Sequence, residues 1–321
     1  MLALLAPFAS AYRSIPPPVR GVLLMLASGL CITGMNVSVK SIAPDIHPFV
    51  IAFWRHLFGI FLLAPMFLGK GANPLRTTRL DLHSLRALLN VIAMLAYFLA
   101  LTLEPLATIV ALSFTAPLIA TVGAMMFLKE RVTLMRGVAL LVGLAGALII
   151  LRPWNAVVSD GAMLLILSST LWAGALVVIK VLSRTESAVT IALYASVLQV
   201  PFAFAAALFY WQIPTAEQFA ILVAIAVFGV SAQLALSQAV READATVVLP
   251  ADLTKLVFAG LAGWLLFAEE PEIWIWIGGV VVFGGVFLNA LFDRRDRLRQ
   301  KVIAPEGVNQ QIPPVIRERT E

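Results

Sequence analysis

The fold class that this sequence predicts is an all-α membrane protein of ten transmembrane helices, built as two inverted five-helix repeats with both termini cytoplasmic. Three observations predict it. First, 61% of the 321 residues are hydrophobic and 13% are charged. A soluble domain is about 25% charged, so these charges are too few to cover a water-facing surface. Second, the apolar residues fall in runs of about 20, the length that crosses about 30 Å of hydrocarbon at a helical rise of 1.5 Å per residue. Third, the second half of the chain repeats the first.

The elements follow in order. Residues 1–20 form an N-terminal cytoplasmic segment. Ala9-Ser10-Ala11 resembles a signal-peptidase site, but a basic flank is missing and Pro7 interrupts the apolar stretch. The Pro16–Pro18 run is expected to be extended and to precede the first helix. Spans then lie near 21–40, 49–68, 84–103, 107–128 and 134–151, making a first repeat over 21–151. A second set lies near 161–180, 188–210, 218–239, 245–267 and 273–291, making a second repeat over 161–291. Helices are required because each segment must satisfy its own backbone groups in lipid. Residues 292–321 are charged, contain Pro and Gln and lack periodicity, and read as a disordered basic cytoplasmic tail.

Basic residues set the orientation. With the amino end inside, the cytoplasmic connectors carry Lys70, Arg76, Arg79 and Arg86, then Lys129, Arg131 and Arg136, then Lys180 and Arg184, then Arg241. The tail adds Arg294, Arg295, Arg297, Arg299 and Lys301, whereas the opposite face holds Lys40 and Arg152. That is the positive-inside bias. The net charge of +5 therefore encodes topology. It does not indicate nucleic acid. The implied partners are the lipid bilayer and a small organic solute; a homodimer is compatible with the sequence. The single cysteine, Cys31, forbids an intrachain disulfide and reads as a packing residue. His47, His56 and His83 are not clustered, so no metal site is expected. Enzymatic motifs and cofactor loops are missing as well.

The repeat is visible residue by residue. Gly21, Leu24, Ser28, Gly34, Val37 and Lys40 match Gly161, Leu164, Ser168, Gly174, Val177 and Lys180 at an offset of 140. Ala107, Thr108 and Val110 match Ala245, Thr246 and Val248 at 138, and Glu130 and Glu269 each close the span that follows. An odd number of spans per half inverts the second half. Inverted repeats with a site between them near the bilayer midplane are a transporter signature.

Ionisable residues inside spans are the candidate site. Asp252 and Lys255 are three apart, on one helical face. They either line a solute path or neutralise each other, since an intramembrane charge costs about 2.5–3.5 kcal/mol and must face a partner or a cavity. Arg55 lies about 10 Å into the second span. It can fork onto a carboxylate or phosphate, or hold a structural partner. Asn36, Gln233 and Gln238 bind solute or bridge helices. Trp54, Tyr97 and Trp172 stack on a flat solute or anchor the interface. His56 points away from Arg55 and reads as interfacial, and Trp264, Trp274 and Trp276 as belt residues. Gly143-x-x-Gly146 and Gly260-x-x-Gly263 read as close helix contacts. Pro117 and Pro250 are expected to break their helices.

The segments AFWRHLFG at 52–59, ALSFTAPLIATVGAMMFLKERV at 111–132 and LPADLTKLVFAGLAGWLLFAEE at 249–270, with the two halves, resemble the ten-helix EamA-type branch of the drug/metabolite transporter superfamily over about residues 21–291. The resemblance implies a secondary transporter of a bacterial inner membrane, working by alternating access. The chain is most similar to proteobacterial members that take up riboflavin or S-adenosylmethionine; exporters of amino acids and drugs belong to the same family. Pro117 stands 13 residues before Glu130, whereas Pro250 stands 19 before Glu269. The two helices are therefore expected to bend at different depths.

Overall fold

A computed structural model describes residues 15–67, 77–128, 134–152, 158–243 and 245–303. All regular structure among these residues is helical. The α-helices are α1 (Pro17–Ile42), α2 (Pro48–Phe67), α3 (Leu80–Leu103), α4 (Leu106–Ser113), α5 (Thr115–Leu128), α6 (Leu134–Leu151), α7 (Asp160–Leu182), α8 (Ala188–Ala207), α9 (Ala216–Glu242), α10 (Ala245–Asp252), α11 (Thr254–Phe267) and α12 (Ile273–Ile303). A 3-10 turn, Leu208–Tyr210, follows α8. Among the described residues seven helices are long and apolar enough to cross a membrane. Pro48–Ala64, Gly137–Leu151 and Ile273–Leu288 are apolar but shorter. This is a multi-pass membrane protein.

Two ends differ from the sequence expectation. Pro17 and Pro18 do not precede the first helix; they are its first residues. The first amides of a helix have no intrahelical acceptor, so a missing N–H there loses nothing, and proline's fixed φ suits the helical start. The tail is not irregular from residue 292 either, because α12 continues to Ile303. Its extension is rich in Arg, Leu, Gln and Lys, all good helix formers, and contains neither Gly nor Pro before Pro305.

α4 and α5 form one rod interrupted at Phe114, and α10 and α11 one rod interrupted at Leu253. These positions are 139 residues apart, within one residue of the repeat offsets of 138 and 140, so the expectation of unequal depths is corrected. Proline position does not set the break: Phe114 precedes Pro117 by three residues, whereas Leu253 follows Pro250 by three. A threonine after each break is what the two share. Thr115 Oγ1 donates to the Leu112 carbonyl and Thr254 Oγ1 to the Ala251 carbonyl, each at 2.6 Å. Hydroxyls that bond back to their own helix bend it. In the first rod Pro117 adds to this, because its nitrogen cannot donate to the Ser113 carbonyl.

The packing pairs exchange when the halves are exchanged. α1 packs on α9 and α3 on α7; α1 also packs on α11 and α7 on α5; α2 packs on α9 and α8 on α3. The pairs α2–α8 and α6–α12 map onto themselves. The pattern of contacts is the same for the two halves of the chain. A pair of buried bonds repeats it: Ser28 Oγ donates to the Ala232 carbonyl at 2.9 Å, and Ser168 Oγ to the Ala93 carbonyl at 2.7 Å. α6 and α12 approach until their backbones touch. A Cβ on Gly146 would stand 2.8 Å from the Gly278 carbonyl oxygen, and one on Gly285 2.6 Å from the Gly143 nitrogen.

Candidate functional site

Gly29, Asn36 and Lys40 lie seven and four residues apart on α1 and therefore share a face. Asn36 stands about 10 Å along the helix from Gly29, and Lys40 about 6 Å further. A separate polar contact occupies each level, so α1 measures depth through the bundle.

At the middle level Asn36, 1% exposed, donates from Nδ2 to the Tyr97 hydroxyl at 2.9 Å. Tyr97 comes from α3, and its hydroxyl also faces that of Ser113, the last residue of α4. Arg55 reaches this level from α2. Its guanidinium lies across α9 where Gly229 has no side chain. A Cβ there would stand 3.1 Å from both Nε and Nη2 of Arg55 and 3.2 Å from Sδ of Met35, the neighbour of Asn36. The Arg55 Nε and the Asn36 Oδ1 are buried without a partner. Arg55 makes no ion pair or hydrogen bond among the described residues. One residue away, Trp54 packs between Phe58, at 5.3 Å, and Phe219, at 5.5 Å, and its Nε1 is likewise unpartnered.

At the Gly29 level stands the second charged group. Asp252 ends α10, Lys255 is the second residue of α11, and an ion pair joins them across the break. Each side chain is 16% exposed. The Lys255 stem lies over α1, where a Cβ on Gly29 would be 3.1 Å from its Cγ.

At the Lys40 level a contact appears that sequence reasoning missed. Lys40 pairs with Glu269 and donates to the Glu104 carbonyl at 2.7 Å. The other oxygen of Glu269 accepts from the Leu106 amide at 2.8 Å. Glu269 reads from the sequence only as the residue closing a span. The available signal was that Lys40 and Glu269 both belong to repeated positions; Glu130, the match of Glu269, lies outside the described residues.

The structure thus brings Arg55, Asn36 and Tyr97 together and seats Asp252 and Lys255 on the same helix face at another depth. It does not bring Trp172 to them. Trp172 is 44% exposed on α7 and makes no ring or hydrogen-bond contact among the described residues. His56 is buried and not interfacial. Gln238 bonds within its own helix, to Glu242, and Gln233 is exposed, so neither bridges helices. Trp276 packs against Gly260 and is not a belt residue, whereas Trp264 and Trp274 are exposed. A cavity of about 250 Å³ lies elsewhere, between α4, α6, α7 and α12, and includes none of Arg55, Asn36 and Tyr97.

Among the described residues no group of acidic, His and Cys side chains could hold a metal. The central arrangement instead offers an unpaired cation and an unpartnered amide oxygen beside the Tyr97 ring. An organic solute that brings acceptor atoms to the guanidinium and a donor to the amide oxygen would complete these contacts.

A family model described as the EamA-like transporter family matches residues 19–152 and 159–291. Over 241 residues the chain is 34% identical to a riboflavin transporter of Brucella anthropi, covering 73% of this chain and 85% of that protein. It is 32% identical over 292 residues to a riboflavin transporter of Vibrio cholerae, covering 89% and 98%. It is also 26% identical over 282 residues to an S-adenosylmethionine uptake transporter of Rickettsia bellii, covering 88% and 97%. A crystal structure sharing 18% identity superimposes with a TM-score of 0.57 over 85% of this chain and 98% of that one, and so shares the fold.

Proposed function

This chain belongs to the EamA-like transporter family, and on that premise we propose that it carries a flat or zwitterionic metabolite into a bacterial cell across the inner membrane. Riboflavin and S-adenosylmethionine, named for its relatives, are the favoured solutes. In this reading ten spans form two inverted halves, both termini are cytoplasmic and the solute binds between the halves. The exchange of packing pairs on swapping halves supports this arrangement, as does the Arg/Lys asymmetry. The protein is a transporter rather than an enzyme.

One observation carries the solute reading. Arg55 stands inside the bundle, beside the Asn36–Tyr97 bond, with no counter-charge among the described residues. An intramembrane cation without a protein partner marks a solute or ion pathway. Its fork suits a carboxylate or paired carbonyl oxygens of the solute. The Asp252–Lys255 pair lines the same path nearer the cytoplasm, and transport needs both of its members.

Uptake of labelled riboflavin and S-adenosylmethionine into proteoliposomes tests the reading, alongside rescue of auxotrophs. Saturable uptake of either solute, with its KM raised in Arg55→Met, is expected. Conduction of inorganic ions alone would sink it. Net movement out of loaded vesicles against a gradient would favour an exporter.

A further inference from the structure

We infer that Glu269, which lies outside the solute-contacting set, closes the outer end of the solute path by tying α1 to the start of α4. The inference deepens the transport reading above and rests on it. Glu269 follows α11 by two residues, a position where a carboxylate would ordinarily face water. Here the chain turns back. Ala268 adopts φ 52°, and the Glu269 amide donates to the Gly263 carbonyl at 3.1 Å. Gly263 has no side chain, which leaves room for the returning carboxylate to lie over the helix. The Glu269 side chain is thereby 11% exposed, and its partner Lys40 17%.

The three groups that meet there belong to the moving parts. Lys40 and the Leu106 amide come from the first half and Glu269 from the second. Lys40 lies one helical turn from Asn36 on the same face of α1, about 6 Å toward the outer end. α4 runs from Leu106, at the clasp, to Ser113, beside Tyr97. The clasp therefore sits over the Asn36–Tyr97 level and holds the two helices that bound it on that side. A solute arriving from outside passes only after Glu269 releases Lys40.

Two measurements test this. In a Cys31→Ser background, Ser113→Cys reports access from outside to a membrane-impermeant maleimide. Glu269→Gln and Lys40→Met should each raise its labelling rate at least tenfold. The glutamine can still accept from the Leu106 amide, so the gain reflects the lost ion pair. Unchanged labelling with a lowered melting temperature would make the pair structural and overturn the inference. This readout needs no solute, so it stands even if neither riboflavin nor S-adenosylmethionine is carried. In the second measurement Lys40→Cys with Glu269→Cys is oxidised. The disulfide should abolish uptake, and reduction should restore it. Full uptake by protein shown to be cross-linked would overturn the inference.

Discussion

Arg55 and the Asp252–Lys255 pair are both charged groups inside the bundle, yet they are held in opposite ways. Lys255 has its counter-ion three residues away, across a helix break, and rests its stem on Gly29. Arg55 lies against a bare stretch of α9, and no described residue answers its charge. The pair is self-sufficient and carries its stability with it. The arginine is incomplete until something else arrives. Breaking one member of a pair exposes the protein to the desolvation of the other; removing an unpaired cation leaves nothing stranded.

The largest expected effect is therefore on stability, at the pair. Asp252→Asn or Lys255→Met alone should lower unfolding stability by up to about 3 kcal/mol, at the low end of the range for a buried pair because both side chains are partly exposed. Thermal or chemical melting in detergent would show it. The double change should recover that stability and still transport poorly. Normal flux in the well-folded double variant would remove the pair from the path.

Next comes Arg55→Met. It should melt like the parent protein and raise KM about 10- to 100-fold, the loss of one charge-assisted hydrogen bond to a solute. A melting temperature that falls as far as for the single pair variants would show that Arg55 has a structural partner after all. Arg55→Lys should restore only part of the affinity, since an ammonium cannot fork.

Smaller still is Tyr97→Phe, which strands the buried Asn36 amide. A destabilisation of about 1–2 kcal/mol is expected, together with a modest rise in KM. If stability holds and only KM moves, the amide takes its contacts from the solute. Trp172→Ala should change neither quantity beyond about 0.5 kcal/mol, the scatter of ordinary surface changes. A clear loss of affinity there would extend the site to the exposed side of α7.

The helical character of the chain and the approximate limits of its helices were legible because apolar run length survives in a single sequence. The Asp252–Lys255 contact was legible too, since i,i+3 geometry is local. Asn36 and Tyr97 were both named, but the bond between them joins residues 61 apart, and no local rule predicts that meeting. Proline misled the reading of depth. Thr115 and Thr254, the residues that share the break geometry, look unremarkable in an apolar string. Glu269 was hidden for a different reason. A backbone reversal at Ala268 carries it inward, and a left-handed alanine has no sequence signature.

The glycine contact between α6 and α12 has a mechanical meaning. Those two helices close the two matched segments of the chain, and they meet each other directly. With carbonyl and amide atoms of one helix set against the other there, the two cannot slide past each other without a backbone clash. A methyl group at Gly146 or Gly278 would meet backbone atoms of the opposite helix, so it would have to push the two helices apart along their whole line of contact.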